Sequence, residues 1–171
     1  KAMPAELPQT TGYTYAVELS ADEAIAAGAK TLEFTRPVYF YIENFINIPV
    51  GWQVPVGYYD RDKGVWIPSP DGMVIRIVDI NGKFAELDTD GDGLADNNPV
   101  LGITDEERVK LAGLYTVGQS LWRVPIYHFT TYDLNYGIGP DPNDKPPALP
   151  RPANNPLPYL SKQCGSIIGC E

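Results

Sequence analysis

The chain has 171 residues, 43% of them hydrophobic, with 13 basic against 22 acidic side chains and a formal net charge of −9. A chain of this length fits one domain, or one domain plus a tail, and buries roughly 70% of its unfolded surface without needing staples. The acidic balance argues against nucleic acid and an anionic membrane surface, which need clustered Lys and Arg, and the longest apolar run, the five residues Val38–Ile42, falls far short of the ~20 of a membrane span.

Seventeen Pro, sixteen Gly and eleven Tyr favour strands joined by turns. Tyr13, Tyr15, Val17 and Leu19 alternate with polar or small residues, the pattern of a half-buried strand. Ser20-Ala21-Asp22-Glu23 has the form of a capping box and predicts a short helix to about Ala29. Thr31 to Phe34 and Val38 to Ile46 read as two strands, the second rich in aromatic and β-branched residues. Two hairpins follow. Val56 to Asp60 and Val65 to Pro68 flank Arg61-Asp62-Lys63-Gly64, and Met73 to Ile80 and Lys83 to Leu87 flank Asn81-Gly82, a preferred type I′ dipeptide. Thr104, with Glu107 three residues on, caps a predicted helix from Asp105 to about Leu114. Ser120 to Thr130 reads as a closing strand.

The expected fold is mainly β: an antiparallel β-sandwich over residues 1–136 with two short helices and an acidic calcium loop. Residues 137–171 are expected to form a proline-rich C-terminal extension with a Cys-containing tail. Gly137 to Tyr159 holds eight of the seventeen prolines, so it cannot donate ladder hydrogen bonds regularly and reads as an extended linker or strap. The chain starts at Lys1 and reads as a segment cut from something longer.

The strongest chemical signal is Asp88-Thr89-Asp90-Gly91-Asp92-Gly93-Leu94-Ala95-Asp96. Aspartates at loop positions 1, 3, 5 and 9 with Gly at 6 match the front of an EF-hand-type Ca²⁺ loop. Alternate residues turn carboxylates toward one point, Gly93 permits the bend, and Leu94 offers its carbonyl. Asp88, Asp90, Asp92, Leu94 and Asp96 are therefore the candidate ligands. Position 12, normally a bidentate Glu, is Pro99, so the match is to the shorter Asp-x-Asp-x-Asp-Gly loops. Asp105, Glu106 or water can complete the set. Glu86 to Glu107 holds eight acids and no base, a density that repels itself unless a cation relieves it. The competing reading is an acidic turn, since Asp and Gly also form turns.

His128 is the only histidine, so no His-based metal cluster is available. In His128-Phe129-Thr130, His128 can take the Thr130 proton while Thr130 attacks the Phe129 carbonyl in an N-to-O acyl shift. The simpler reading is a strand histidine among core aromatics, and no catalytic role is assigned. Trp52, Trp66 and Trp122, with Tyr58 and Tyr59, suggest a carbohydrate-stacking face, although aromatics on strands more commonly form cores and cross-strand pairs. Phosphate-loop, nucleophile-elbow and zincin motifs are absent from the sequence. Cys164 and Cys170 allow a small disulfide loop in an oxidising compartment and a reduced pair in a cytosol.

The runs Phe34-Thr35-Arg36-Pro37-Val38-Tyr39-Phe40-Tyr41-Ile42-Glu43-Asn44-Phe45, Pro55-Val56-Gly57-Tyr58-Tyr59-Asp60 and Gly64-Val65-Trp66-Ile67-Pro68 resemble the segment ahead of the repeats in bacterial RHS/YD-repeat proteins. The resemblance continues through the Asp88–Asp96 loop, Leu101-Gly102-Ile103-Thr104-Asp105 and Gln119-Ser120-Leu121-Trp122-Arg123-Val124-Pro125. Cys164-Gly165-Ser166-Ile167-Ile168-Gly169-Cys170-Glu171 looks like the point where the repeat shell begins. More loosely, Leu32 through Trp66 to His128-Phe129-Thr130 resembles ZU5-type β-sandwiches, some of which self-cleave at His-Phe-Ser; here Thr130 stands at the nucleophile position.

RHS/YD proteins are large secreted or surface-displayed proteins whose repeats form a β-shell, often around a toxin. The resemblance implies an extracellular or cell-surface setting. The expected function is a non-enzymatic, calcium-stabilised structural or interaction module. Its expected partners are neighbouring domains or copies of itself, reached by strand addition of the C-terminal tail. Neither nucleic acid nor membrane insertion is expected. The alternatives are self-processing at Phe129–Thr130 and carbohydrate binding.

Overall fold

The computed structural model describes residues 3–5, 14–29 and 32–136. In chain order these form β1 (Ala16–Glu18), α1 (Asp22–Ala26), β2 (Glu33–Glu43), β3 (Gln53–Val54), β4 (Gly57–Asp60), β5 (Val65–Pro68), β6 (Gly72–Asn81), β7 (Phe84–Asp88), a 3-10 turn (Pro99–Leu101), α2 (Asp105–Leu114), β8 (Ser120–His128) and β9 (Thr131–Asp133). All strand pairs are antiparallel, in two sheets. One has the order β1-β9-β4-β5; in the other β2 pairs β8, β8 pairs β6, and both β3 and β7 pair β6. The architecture is a β-sandwich, as the strand pattern predicts. No helix among the described residues is long and apolar enough to cross a membrane.

Side-chain alternation along β8 explains the layering. Trp122, Val124 and Ile126 point into the space between the sheets, where Ile42, Val54, Val56, Val74, Tyr132 and Leu134 meet them. Leu121 points the other way, into a second core with Ile75 and Ile77 of β6, Ala85 and Leu87 of β7, and Leu111 of α2. The five-stranded sheet is thus covered on both faces, by the other sheet and by α2.

Arg123 also belongs to the helix side. Its guanidinium donates from Nε to Glu107 Oε1 at 2.7 Å and from Nη2 to Oε2 at 3.1 Å. The same guanidinium stacks on Tyr39, 3.3 Å from the ring centroid, while the Tyr41 hydroxyl donates to Glu107. Burial pushes the Glu107 carboxyl up, but the hydrogen bonds from Arg123 and Tyr41 outweigh it and hold the group below its usual range. Glu107 closes the predicted capping box as well: its backbone N–H donates to Thr104 Oγ1 and its side chain accepts from the Thr104 N–H.

The structure corrects several expected boundaries. Helix α1 starts after Ala21, which makes no side-chain cap, and ends at Ala26, so the box predicted from Ser20 and Glu23 does not form. The two strands expected on either side of Pro37 are one, β2, whose register with β8 shifts between Glu33 and Val38. An irregularity of this kind is where a residue without an N–H is tolerated. Asn44 ends β2 by wrapping its amide around Ile48, donating to the Ile48 carbonyl at 2.7 Å and accepting its N–H at 2.9 Å. In the β6–β7 hairpin Asn81 pairs with Phe84, so the turn is Gly82-Lys83, one residue later than expected. Gly82, at φ 63°, takes the left-handed conformation, whereas a type I′ turn over Asn81-Gly82 requires it of Asn81 too. Strand β8 stops at His128, and the chain crosses at Phe129-Thr130 into the other sheet as β9. The proline-rich extension, Cys164 and Cys170 lie outside the described residues.

Strand β9 carries a buried acid of a different kind. Tyr132 and Leu134 face the core, so alternation sends Asp133 and Asn135 to the outer face of the four-stranded sheet. Asp133 is 1% exposed, and neither carboxylate oxygen has a hydrogen-bond partner. Desolvation pushes its pKa up from 3.8 to about 7.

Glu107→Gln removes the charge that balances Arg123 and should cost about 3 kcal/mol in urea unfolding, with part of the loss recovered when Arg123→Met is added. Asp133 has its folded pKa raised, so the stability its neutral form contributes is complete below pH 3.8 and lost as pH rises through about 7. Asp133→Asn should therefore raise stability by about 2–4 kcal/mol at pH 8 and by much less at pH 4.

Candidate metal centre

Strand β7 delivers the acidic loop. Ala85 and Leu87 anchor it in the helix-side core, and Asp88, its last residue, is fully buried. Asp88 then organises the turn: Oδ1 accepts the Gly91 N–H at 2.7 Å and Oδ2 the Gly93 N–H at 3.1 Å. Asp90 accepts the Asp92 N–H at 3.1 Å and Asp92 the Leu94 N–H at 2.7 Å. These are Asx turns, in which a short carboxylate binds the backbone two residues ahead and fixes the curl of the chain. At the far end, Asp96 receives the Thr89 hydroxyl at 2.8 Å and the Asn98 N–H at 3.1 Å.

The base of the loop is clamped. The Asp96 and Asn97 N–H groups both donate to the Leu87 carbonyl, at 3.0 and 3.1 Å, and Asn97 Oδ1 accepts the Leu87 N–H at 2.9 Å. Asn97, in the left-handed region at φ 43°, thus stands in for a missing strand partner of β7. Its Nδ2 donates to Glu86 at 2.6 Å, Glu86 pairs with Arg108, and Arg108 Nε donates to the Ala85 carbonyl at 2.8 Å. The loop is tied in this way to α2.

These constraints bring one carboxylate oxygen each from Asp88, Asp90 and Asp96 within 4.8 Å of one another. Asp88 is buried and the other two are exposed, so the cluster is open to solvent on one side. Asp92 is outside the cluster, its carboxylate engaged with the Leu94 N–H. Leu94 points its side chain outward, leaving the carbonyl as the group it can offer. Among the described residues the acids of α2 do not join: Asp105 faces Arg108, and Glu107 is held by Arg123 and Tyr41. An all-oxygen set suits a hard cation such as Ca²⁺ or Mg²⁺.

The other sequence candidates are placed differently. Thr130 is buried and its hydroxyl donates to the Tyr59 carbonyl at 2.9 Å. The His128 ring packs edge-on to Tyr58, with centroids 4.5 Å apart, and lies beside Tyr132. The aromatic set does not share a face. Trp122 is buried in the core and its Nε1 donates to Asn44, Tyr58 packs against that core, Tyr59 and Trp66 pair across β4–β5, and Trp52 is exposed. A stacking platform of all five is thereby excluded, because β-strand alternation sends Tyr58 and Tyr59 to opposite faces.

Asn97 and Thr89 are the site residues that spacing rules miss. Neither belongs to the ligand pattern, and only the Asn-Asn pair before Pro99 hints at a turn. Searches of family models, curated proteins and solved structures return no match to the chain.

Gly51 and Gly91 let the loop seat against the Val50-Gly51 turn. A Cβ on Gly51 would lie 2.8 Å from the Asp90 carbonyl oxygen, and one on Gly91 would lie 2.8 Å from that of Val50. Both have positive φ, at 83° and 91°. Gly91→Ala should therefore destabilise by about 1–3 kcal/mol and loosen the loop. Gly93→Ala, with φ 84° but open space around it, should cost about 1 kcal/mol. Thermal unfolding of the two variants checks the order.

Proposed function

We propose that the chain is a non-catalytic, calcium-binding structural and interaction module of an extracellular RHS/YD-repeat surface protein. The observation that supports the calcium reading is the convergence of Asp88, Asp90 and Asp96 on a loop whose curl is already set by backbone N–H groups. A cation enters a partly preorganised site and relieves the repulsion of the three carboxylates. Ca²⁺ accepts six to eight oxygens in loose geometry, so water, the Leu94 carbonyl and a reoriented Asp92 can complete the shell. Mg²⁺ demands tighter octahedral geometry and gives up its water reluctantly.

The role is structural. The loop joins β7 to α2 and leans on the Val50-Gly51 turn, so an ion there ties the strand, the helix and that turn together. The extracellular setting and the RHS/YD assignment rest on the sequence resemblance. Addition of the C-terminal tail as a strand on a neighbouring domain or copy belongs to the same proposal and concerns residues outside those described.

Thermal unfolding in Ca²⁺ and in excess EGTA tests the site. Ion held at about 100–1,000 times its dissociation constant should add about 3–4 kcal/mol, a midpoint shift of several degrees. Asp90→Asn, an exposed ligand change, should abolish most of the shift, and Mg²⁺ at the same concentration should produce a smaller one. An unchanged midpoint would reduce the loop to an acidic turn.

A further inference from the structure

The tip of the β6–β7 hairpin sets an exposed amide beside an unshielded nitrogen. Asn81, the last residue of β6, pairs with Phe84 and faces solvent, and Gly82 follows it as the first residue of the turn. Neither the Asn81 side chain nor the Gly82 N–H makes a hydrogen bond to the described residues. Gly82 has φ 63°, and a Cβ built on it would meet nothing within 4 Å. Glycine also adds no side chain of its own to cover its nitrogen. The Gly82 nitrogen and the Asn81 Cγ are neighbours along the chain, close enough for a bond between them to close a cyclic imide.

Comparable pairs among the described residues are blocked, each by a different contact. In Asp90-Gly91 and Asp92-Gly93 the glycine N–H groups donate to Asp88, at 2.7 and 3.1 Å, so the nitrogens keep their protons. In Asp71-Gly72 the glycine is buried, and a Cβ on it would lie 2.7 Å from the Arg123 carbonyl oxygen, which leaves no room to turn. The nitrogen after Asn47 is that of Ile48, and it donates to Asn44 Oδ1 at 2.9 Å. Asn97 is held by Leu87 and Glu86, and Asn98 precedes Pro99, which has no N–H.

We propose that Asn81-Gly82 is a self-modifying site, a spontaneous and one-way deamidation centre at the hairpin tip. The Gly82 nitrogen gives its proton to solvent base and forms a bond to Asn81 Cγ. The Cγ–Nδ2 bond breaks, ammonia leaves, and a cyclic imide joins the two residues. Water then adds to one imide carbonyl. Opening on one side restores the ordinary backbone with an aspartate at position 81; opening on the other leaves isoaspartate, whose chain runs through the former side chain. Either product exchanges an amide for a carboxylate and adds one negative charge. The longer isoaspartate backbone breaks the pairing with Phe84, while Ala85, fully buried, confines the change to the tip. The site does not depend on the calcium reading.

Incubation of the full chain in mildly alkaline buffer, followed by trypsin and mass spectrometry, tests the assignment. The peptide Ile77–Lys83 should gain the mass of an amide-to-acid exchange and separate into two isomers, with isoaspartate in excess. Hydroxylamine added during incubation should trap the imide at the same position. The peptides Gly64–Arg76 and Phe84–Arg108, which carry the blocked pairs, should stay unmodified in the folded chain, and Phe84–Arg108 should acquire isoaspartate in urea. Gly82→Ala, which places a Cβ beside the nitrogen, should slow the reaction about tenfold. An unmodified Ile77–Lys83 peptide in the folded chain, aspartate without isoaspartate, or an unchanged rate in Gly82→Ala would overturn the proposal.

Discussion

The Arg123–Glu107 pair is the constraint around which the sheet and helix are arranged. Strand β8 is buried on both faces from Leu121 to Ile126, so a charge within that stretch must be neutralised inside the protein. Arg123 points into the helix-side layer, and only an acid delivered at a fixed place can balance it there. Glu107 is that acid, and it is also the third residue of α2, held by the Thr104 capping box. One carboxylate therefore sets where the helix begins, how it sits on the sheet, and how a buried cation is compensated. Tyr39 and Tyr41 finish the arrangement by stacking on the guanidinium and donating to the carboxylate. A buried pair of this kind adds little net stability compared with apolar packing, but losing either partner leaves an uncompensated buried charge.

The acidic loop inherits its geometry from that helix placement. Its start is fixed by β7 in the core, and its end must reach Thr104 at the head of α2. Arg108, one residue after Glu107, turns to Glu86 and the Ala85 carbonyl, and Glu86 in turn receives Asn97. The carboxylates of Asp88, Asp90 and Asp96 converge because the loop's own hydrogen bonds set its curl and both of its ends are held.

Local chemistry was legible where one element's own residues decide the outcome. The Thr104–Glu107 box, the alternation of Tyr15, Val17 and Leu19 against the core, and the position of Gly93 at a positive φ all follow from spacing. What spacing could not show was set by distant partners. Ser20 looks like a helix cap, but helix α1 starts one residue later, after Ala21. Pro37 looks like a strand break, but a register shift absorbs it. Asn44 and Asn97 have no sequence signature, because their roles are to satisfy backbone groups of chain segments that the fold brings to them. The same reason hid the burial of Asp133, whose strand is central only because β1 and β4 pair on either side of it.

The two sheets treat buried charge in opposite ways. Arg123 has a bidentate carboxylate, an aromatic face and a tyrosine hydroxyl around it, so its layer is complete within the chain. Asp133 is as deeply buried and has none of these. If solubility alone governed the outer face of the four-stranded sheet, a Thr or Val at 133 would satisfy a central strand at far lower cost. An acid held there with no internal partner, between an alanine and a glycine, destabilises the free protein at neutral pH.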